Sequence, residues 1–209
     1  MQKTSEIVKI LNIDIDTAVL CSEIIMNLNK SYSVSIEGEI IKNQFKLIDN
    51  NNKQSNFLSI NIGGSISKCS LLFKRVVTRY QTGRRGGSGY NFDDRVYLFG
   101  HIKLNKYYFP SLFRPENIED KISNIFNSVE VKIENQPKLN RKYFVLAKDE
   151  NNLKQNLTKE FYEYLENLNS LKIEFYENEC IFMISDILNI ENANEICRIG
   201  LDLDNILNN

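Results

Sequence analysis

The segment Gly83-Arg84-Arg85-Gly86-Gly87-Ser88-Gly89-Tyr90 concentrates four glycines around two adjacent arginines. Glycine reaches φ > 0 without steric cost, so successive N–H groups can turn toward one anion. Guanidinium forks match the oxygens of a phosphate. The chemistry on offer is contact with an anion, a nucleic acid or a protein, and a bare hairpin tip uses the same residues. The glycine spacing fits neither the P-loop nor the dinucleotide-binding pattern. A few residues on, Arg95, Tyr97, Phe99, His101 and Lys103 alternate with apolar residues. In a strand they share one face. Cations mixed with aromatic platforms suit single-stranded nucleic acid. Arg75 and Arg79 are placed to join that face from a neighbouring strand. Under a covering helix, the same aromatics are core and the basic tips reach past them to water.

Other groups point less far. His101 is the single histidine, which removes mechanisms that need two. No nucleophile motif stands beside it. Asp93-Asp94 is a carboxylate pair placed to offset Arg84 and Arg85. Cys21, Cys69, Cys180 and Cys197 form no close pair, so they predict free thiols rather than a metal cluster. Arg114 is expected to bond backbone or an acid. The candidate ligand or partner contacts are Arg79, Arg84, Arg85, Gly86, Gly87, Tyr90, Arg95, Tyr97, His101 and Lys103. No catalytic residue, cofactor or metal ligand is assigned, and the balance leans away from an enzyme.

Charge is segregated although the net charge is only -1. Residues 68–106 hold nine Lys or Arg and two acids, a net +7. Residues 149–209 hold thirteen acids and four bases, a net -9. Such asymmetry points to partners, or to two parts that face each other or are solvated. Hydrophobic residues at 42% and charged residues at 25% exclude wholesale disorder. No apolar run reaches the ~18 residues of a membrane span. With no apolar leader, the expected location is the cytoplasm.

The elements that must position these residues follow from periodicity. Thr4–Lys30 reads as helix, broken near Asn12–Asp16, with Asp14 or Asp16 as a cap. Ser33–Ile41 reads as strand with a turn at Glu37-Gly38-Glu39. Phe45–Ile48, Phe57–Ile62 and Ile66–Tyr80 follow, the last with a bulge near Lys74-Arg75 where apolar parity slips. Arg95–Leu104 is a strand with Val96, Leu98, Ile102 and Leu104 on one side. Pro115 is placed in the first turn of a helix. Val129–Ile133 and Arg141–Ala147 read as strands and Asn151–Leu168 as a helix. Leu171–Tyr176 is a strand, with a turn at Glu177-Asn178-Glu179 before Cys180–Ile184. Asn192–Leu207 is the last helix. The order predicts an α+β fold: an N-terminal helical segment, an antiparallel β meander with a long Gly/Arg-rich hairpin loop, then a mixed β/α part. One globular unit is expected over 1–209, with any subdivision into 1–110 and 111–209 near Tyr107–Pro115.

Leu112-Phe113-Arg114-Pro115-Glu116-Asn117, after Phe109-Pro110, resembles the F-x-L-x-P-E-N passage of a large family of uncharacterised bacterial proteins. The likeness continues through Lys121-Ile122, Phe126, the Val129–Ile133 strand, Pro137, Leu139-Asn140, Tyr143 and Asp149-Glu150, over roughly residues 70–180. It implies a shared α+β fold and brings no activity, cofactor or catalytic residue. Two functions are carried forward. One is a non-enzymatic protein that binds another protein, with an immunity-type neutraliser of a toxin as a sub-case. The other is a nucleic-acid or phosphate-ligand binder working through residues 68–106.

Overall fold

A computed structural model describes residues 2–42, 45, 55–64, 68–82, 89–115, 129–168, 170–184 and 187–209. The chain is α+β, with six helices and a seven-stranded sheet among the described residues. Helices α1 (Gln2–Leu11) and α2 (Ile15–Leu28) meet at a turn where Asn12 has φ 52°. The Asp14 side chain caps α2 by accepting from Thr17 N at 2.9 Å. Strands β1 (Ser33–Lys42), β2 (Ser55–Gly63), β3 (Lys68–Thr82) and β4 (Gly89–Pro115) then form an antiparallel meander.

Strand β4 organises the molecule. Its first half pairs with β3, and its last residues pair with β6 (Tyr143–Ala147), which carries the two-residue β5 (Val129–Glu130). Along its other edge runs β7 (Lys172–Met183). Tyr107–Pro115, the place considered for any subdivision of the single unit, lies inside a strand that joins both halves of the sheet. Pro115 ends that strand, and the helix expected after it lies outside the described residues.

All six helices pack apolar side chains against one face of the sheet. These include α3 (Pro137–Lys142), α4 (Glu150–Asn156), α5 (Lys159–Asn167) and α6 (Ile190–Asn208). The core joins Leu58, Ile60, Leu71, Phe73, Leu98, Ile102, Cys180 and Phe182 of the strands to Ile24, Phe161, Ile196 and Leu203 of the helices. Phe182 lies across from Gly100, and a Cβ at Gly100 would come within 2.0 Å of its Cζ. The ring thus occupies the space that Gly100 leaves empty. All four cysteines are buried and free. Burial pushes the Cys21 and Cys69 thiols up to about 12.

Several expectations change. Glu37-Gly38 is a bulge within β1, with Gly38 at φ 102°, and Glu177 at φ 54° is likewise an irregularity within one continuous β7. Turns and bulges recruit the same left-handed residues, so the sequence signal is shared. The bulge expected near Lys74-Arg75 is absent, because β3 keeps one register against β4 from Ser70 to Thr82. Apolar parity slips there because β3 continues past its last partner on β2, Phe73. The strand read at Val129–Ile133 stops at Glu130: the Asn140 amide takes both the N–H and the C=O of Ile133, at 2.9 and 2.7 Å. Arg141 and Lys142 belong to α3 rather than to β6. The helix read at Asn151–Leu168 is two, because Thr158 caps α5 through Phe161 N.

Candidate functional site

The ladder fixes which side chains meet on the sheet face opposite the helices. The register Ser35↔Asn61, Asn61↔Ser70 and Ser70↔His101 draws one row across four strands. Beside it lies a second row with Ser33↔Gly63↔Lys68 on one side and Lys103↔Glu179 on the other. On the far side is Ser59, whose hydroxyl donates to Glu37 Oε2 at 2.7 Å. These residues line an open hollow of about 760 Å³. Short side chains make its floor, and long charged ones stand around it.

The polar groups are partly tied to one another. Ser70 donates to Asn61 Oδ1 at 2.9 Å, so its proton points to the amide rather than across to His101. The Asn61 oxygen is thereby occupied, which leaves its NH2 facing the hollow. His101 Nε2 is buried and lacks an aligned hydrogen bond, with Glu179 Oε1 at 3.4 Å. Lys68 and Lys103 lie two residues beyond Ser70↔His101, the last β3–β4 pair, and both line the hollow. Neither ammonium has an ion pair among the described residues.

The last turn of α6 holds the two lysine-bearing strands. Lys68 N donates to Asp204 Oδ2 at 2.8 Å. Asn208 Nδ2 donates to Asp204 Oδ1 at 2.7 Å and to Lys103 O at 2.9 Å. Asn208 Oδ1 accepts from Asn105 N at 2.8 Å. This network bridges β3 and β4 where their own ladder has ended. Further along α6, Asp202 accepts from Tyr164 Oη at 2.8 Å, and Glu195 is held below its usual range by Arg198. The acidic C-terminal helix therefore spends much of its charge inside the molecule.

The rest of the stripe behaves differently. Phe99 is buried with Phe45, Phe57, Leu72, Ile181 and Met183, and Tyr97 packs against that cluster. Lys74, across from Tyr97, is buried with its ammonium 5.7 Å from the Phe57 ring centre. Arg95 is tied to Asp93 at 2.7 Å. Arg75 turns to the opposite face, where its Nε donates to Asp94 Oδ1 at 2.8 Å and its Nη1 to Asn12 O. So Asp93 and Asp94 pair with Arg95 and Arg75, the bases nearest in the ladder. Arg75 does not join the stripe. Arg114 is buried with its guanidinium 4.6 Å from the Phe144 ring centre.

Of the predicted contacts, His101 and Lys103 come together in the hollow, and Arg95 and Tyr97 lie beyond it along β4. Arg84, Arg85, Gly86 and Gly87 lie outside the described residues. Arg79 and Tyr90 are placed only by their ladder partners, Phe92 and Gln81, and their side chains lie outside the described residues. Sequence reasoning missed Ser35, Asn61, Lys68, Ser70 and Glu179. Serines on separate strands carry no motif, and the one available signal was the alternation within each strand.

A second surface lies on α2. Ile15, Val19 and Met26 are 68%, 42% and 61% exposed. Their spacing of four and seven puts them on one side of the helix. The other side buries Ala18, Cys21, Ile24, Ile25 and Leu28. Asp14, Asp16 and Glu23 are exposed beside the stripe. A helix apolar on both sides is ordinarily covered on both.

No family model, no curated protein and no solved structure matches this chain. No helix among the described residues is long and apolar enough to cross a membrane.

Proposed function

We propose that the protein is a non-catalytic binding module that docks another protein on the exposed stripe of α2. The observation that carries this is Ile15, Val19 and Met26 standing in solvent on a helix whose opposite side is core. Apolar side chains gathered on a rigid helix mark interaction surfaces. The acids at 14, 16 and 23 select a partner whose apolar contact is rimmed by Lys or Arg, and they speed encounter with it. An immunity-type role is the sub-case in which that partner is a basic toxin.

The test starts from protein captured by the tagged chain out of its native cytosol. Purified, that protein should bind the wild type with a negative heat-capacity change. An Ile15→Glu/Met26→Glu variant that keeps its Tm should bind it at least about tenfold more weakly. Equal binding by the variant refutes the reading. Concentration-dependent dimerisation of the chain alone, lost in the variant, reassigns the stripe to a second copy.

A further inference from the structure

We infer that the Lys68–Lys103 corner of the hollow is a binding site for a compact phosphate dianion, that is, a small phosphomonoester. The inference does not depend on the α2 stripe, which is a different surface.

Three observations converge. First, Lys68 and Lys103 stand on neighbouring strands just beyond Ser70↔His101, the last β3–β4 pair, and both line the hollow. Two ammoniums that line one hollow repel each other. Glu179 is the ladder partner of Lys103, but its Oε1 lies against His101 Nε2, and Glu37 holds the Ser59 hydroxyl, so no described acid makes an ion pair with either lysine. An incoming dianion relieves that repulsion, and lysine serves phosphate as a point charge.

Second, neutral donors stand around the same corner. Ser33 and Ser35 line the hollow with hydroxyls, and Asn61 has its oxygen filled by Ser70 and its NH2 left to give. Phosphate, with three terminal oxygens, uses more donors than a carboxylate.

Third, the corner is built rather than incidental. Asp204 and Asn208 hold the backbone of both lysine positions from behind, so the ammoniums are presented by fixed strands. The hydrogen-bonded clip makes Asp204 and Asn208 positioning residues for the site.

The acids set the size of the ligand. Glu37 and Glu179 line the same hollow as the lysines. They repel a run of phosphodiesters laid across the sheet face, while one dianion at the lysine corner avoids them. A nucleic-acid strand is thereby disfavoured, and a small phosphomonoester fits.

The test titrates inorganic phosphate into the full chain at constant ionic strength, with chloride as the control, and follows backbone amide NMR shifts. The expected result is saturable shifts in the millimolar range, centred on Lys68–Ser70 and His101–Lys103. A Lys68→Gln/Lys103→Gln variant should weaken that binding by roughly tenfold or more. Unchanged amide shifts across α2 and α6 verify that the variant is folded, and if they move, each single Lys→Gln variant is read instead. Phosphate shifts that never saturate, or that survive both substitutions, overturn the proposal. A single-stranded oligonucleotide that binds the corner more tightly than phosphate also overturns it, by assigning the corner to a polymer. Stepwise weakening of phosphate binding in Asp204→Ala and Asn208→Ala, without loss of Tm in proportion, would fix the positioning role.

Discussion

The two faces of the sheet are made from the same strands and share every backbone hydrogen bond, yet they are built to different ends. On the helix side, the core positions of the strands are filled mostly by large apolar groups, and contacts are close enough that Gly100 has no room for a methyl. On the other side, around the hollow, the same strands carry Ser35, Asn61, Ser70 and His101 in one row. The difference teaches that stability and recognition are divided by side-chain parity. One face holds the larger core, and the other, beside the smaller cluster around Phe57 and Phe99, has room for groups that add little to folding.

That division is breakable by experiment. The largest loss is expected at the ring that fills Gly100: Phe182→Ala should cost about 3–5 kcal/mol by chemical denaturation, as a buried aromatic lost from the core. Gly100→Ala comes next, since an added Cβ would meet the same ring; overpacking of this kind costs about 1–3 kcal/mol. If either variant were as stable as the wild type, the covered face would not be the one that holds the fold.

The α6 clip sits between the faces and should behave so. Asp204→Ala removes an acceptor from the exposed Lys68 N–H, and a loss of about 0.5–1.5 kcal/mol in the same denaturation assay is expected. Smallest is the hollow itself: Ser70→Ala should stay within about 0.5 kcal/mol of the wild type. A loss as large as that of Gly100→Ala would show that the polar row is structural.

The comparison can be sharpened by pH. The buried Cys21 and Cys69 thiols rise from 9.0 to about 12. Folding favours their protonated form, so their contribution is complete below the unfolded value and declines as pH rises toward about 12. The Arg75 guanidinium holds Asp94 below the usual carboxylate range. That contribution is complete above the unfolded carboxylate value and is lost as pH falls through the lower folded one. Tm measured across both limbs should therefore fall more steeply in alkali, where the covered face is attacked. In acid the carboxylates held low, Asp14, Asp94 and Glu195, lose exposed contacts, and exposed pairs contribute little.

The α+β class and the alternation of Arg95–Leu104 were readable because a half-buried strand writes its burial into every second residue. The final helix was readable for the same reason at a period of 3.6. The hollow was not. Its row takes one residue from each of four strands between positions 35 and 101, and nothing local marks Ser70 as the neighbour of His101. The continuity of β4 was hidden because Asn105, Lys106 and Pro110 look like loop chemistry, although β4 there keeps β7 on one edge and, from Ser111, β6 on the other. Charge gave a partial message. The acidic C-terminal third does meet the basic middle, through Asp204 on the Lys68 backbone and through Glu179 beside His101 and Lys103.

Strand β4 has a consequence for biogenesis. Its partner β3 precedes it in the chain, while β7 begins only at Lys172. During synthesis at about 5–20 residues per second, the far edge of β4 waits several seconds for that partner. For that interval the backbone of residues 100–103 and 111–113 stands unpaired on that edge, the template on which nascent chains join one another. Yield in the cell should therefore depend on chaperone supply and growth temperature more than the finished fold's stability would suggest, and slowing translation between residues 115 and 172 should send more of the chain into inclusion bodies.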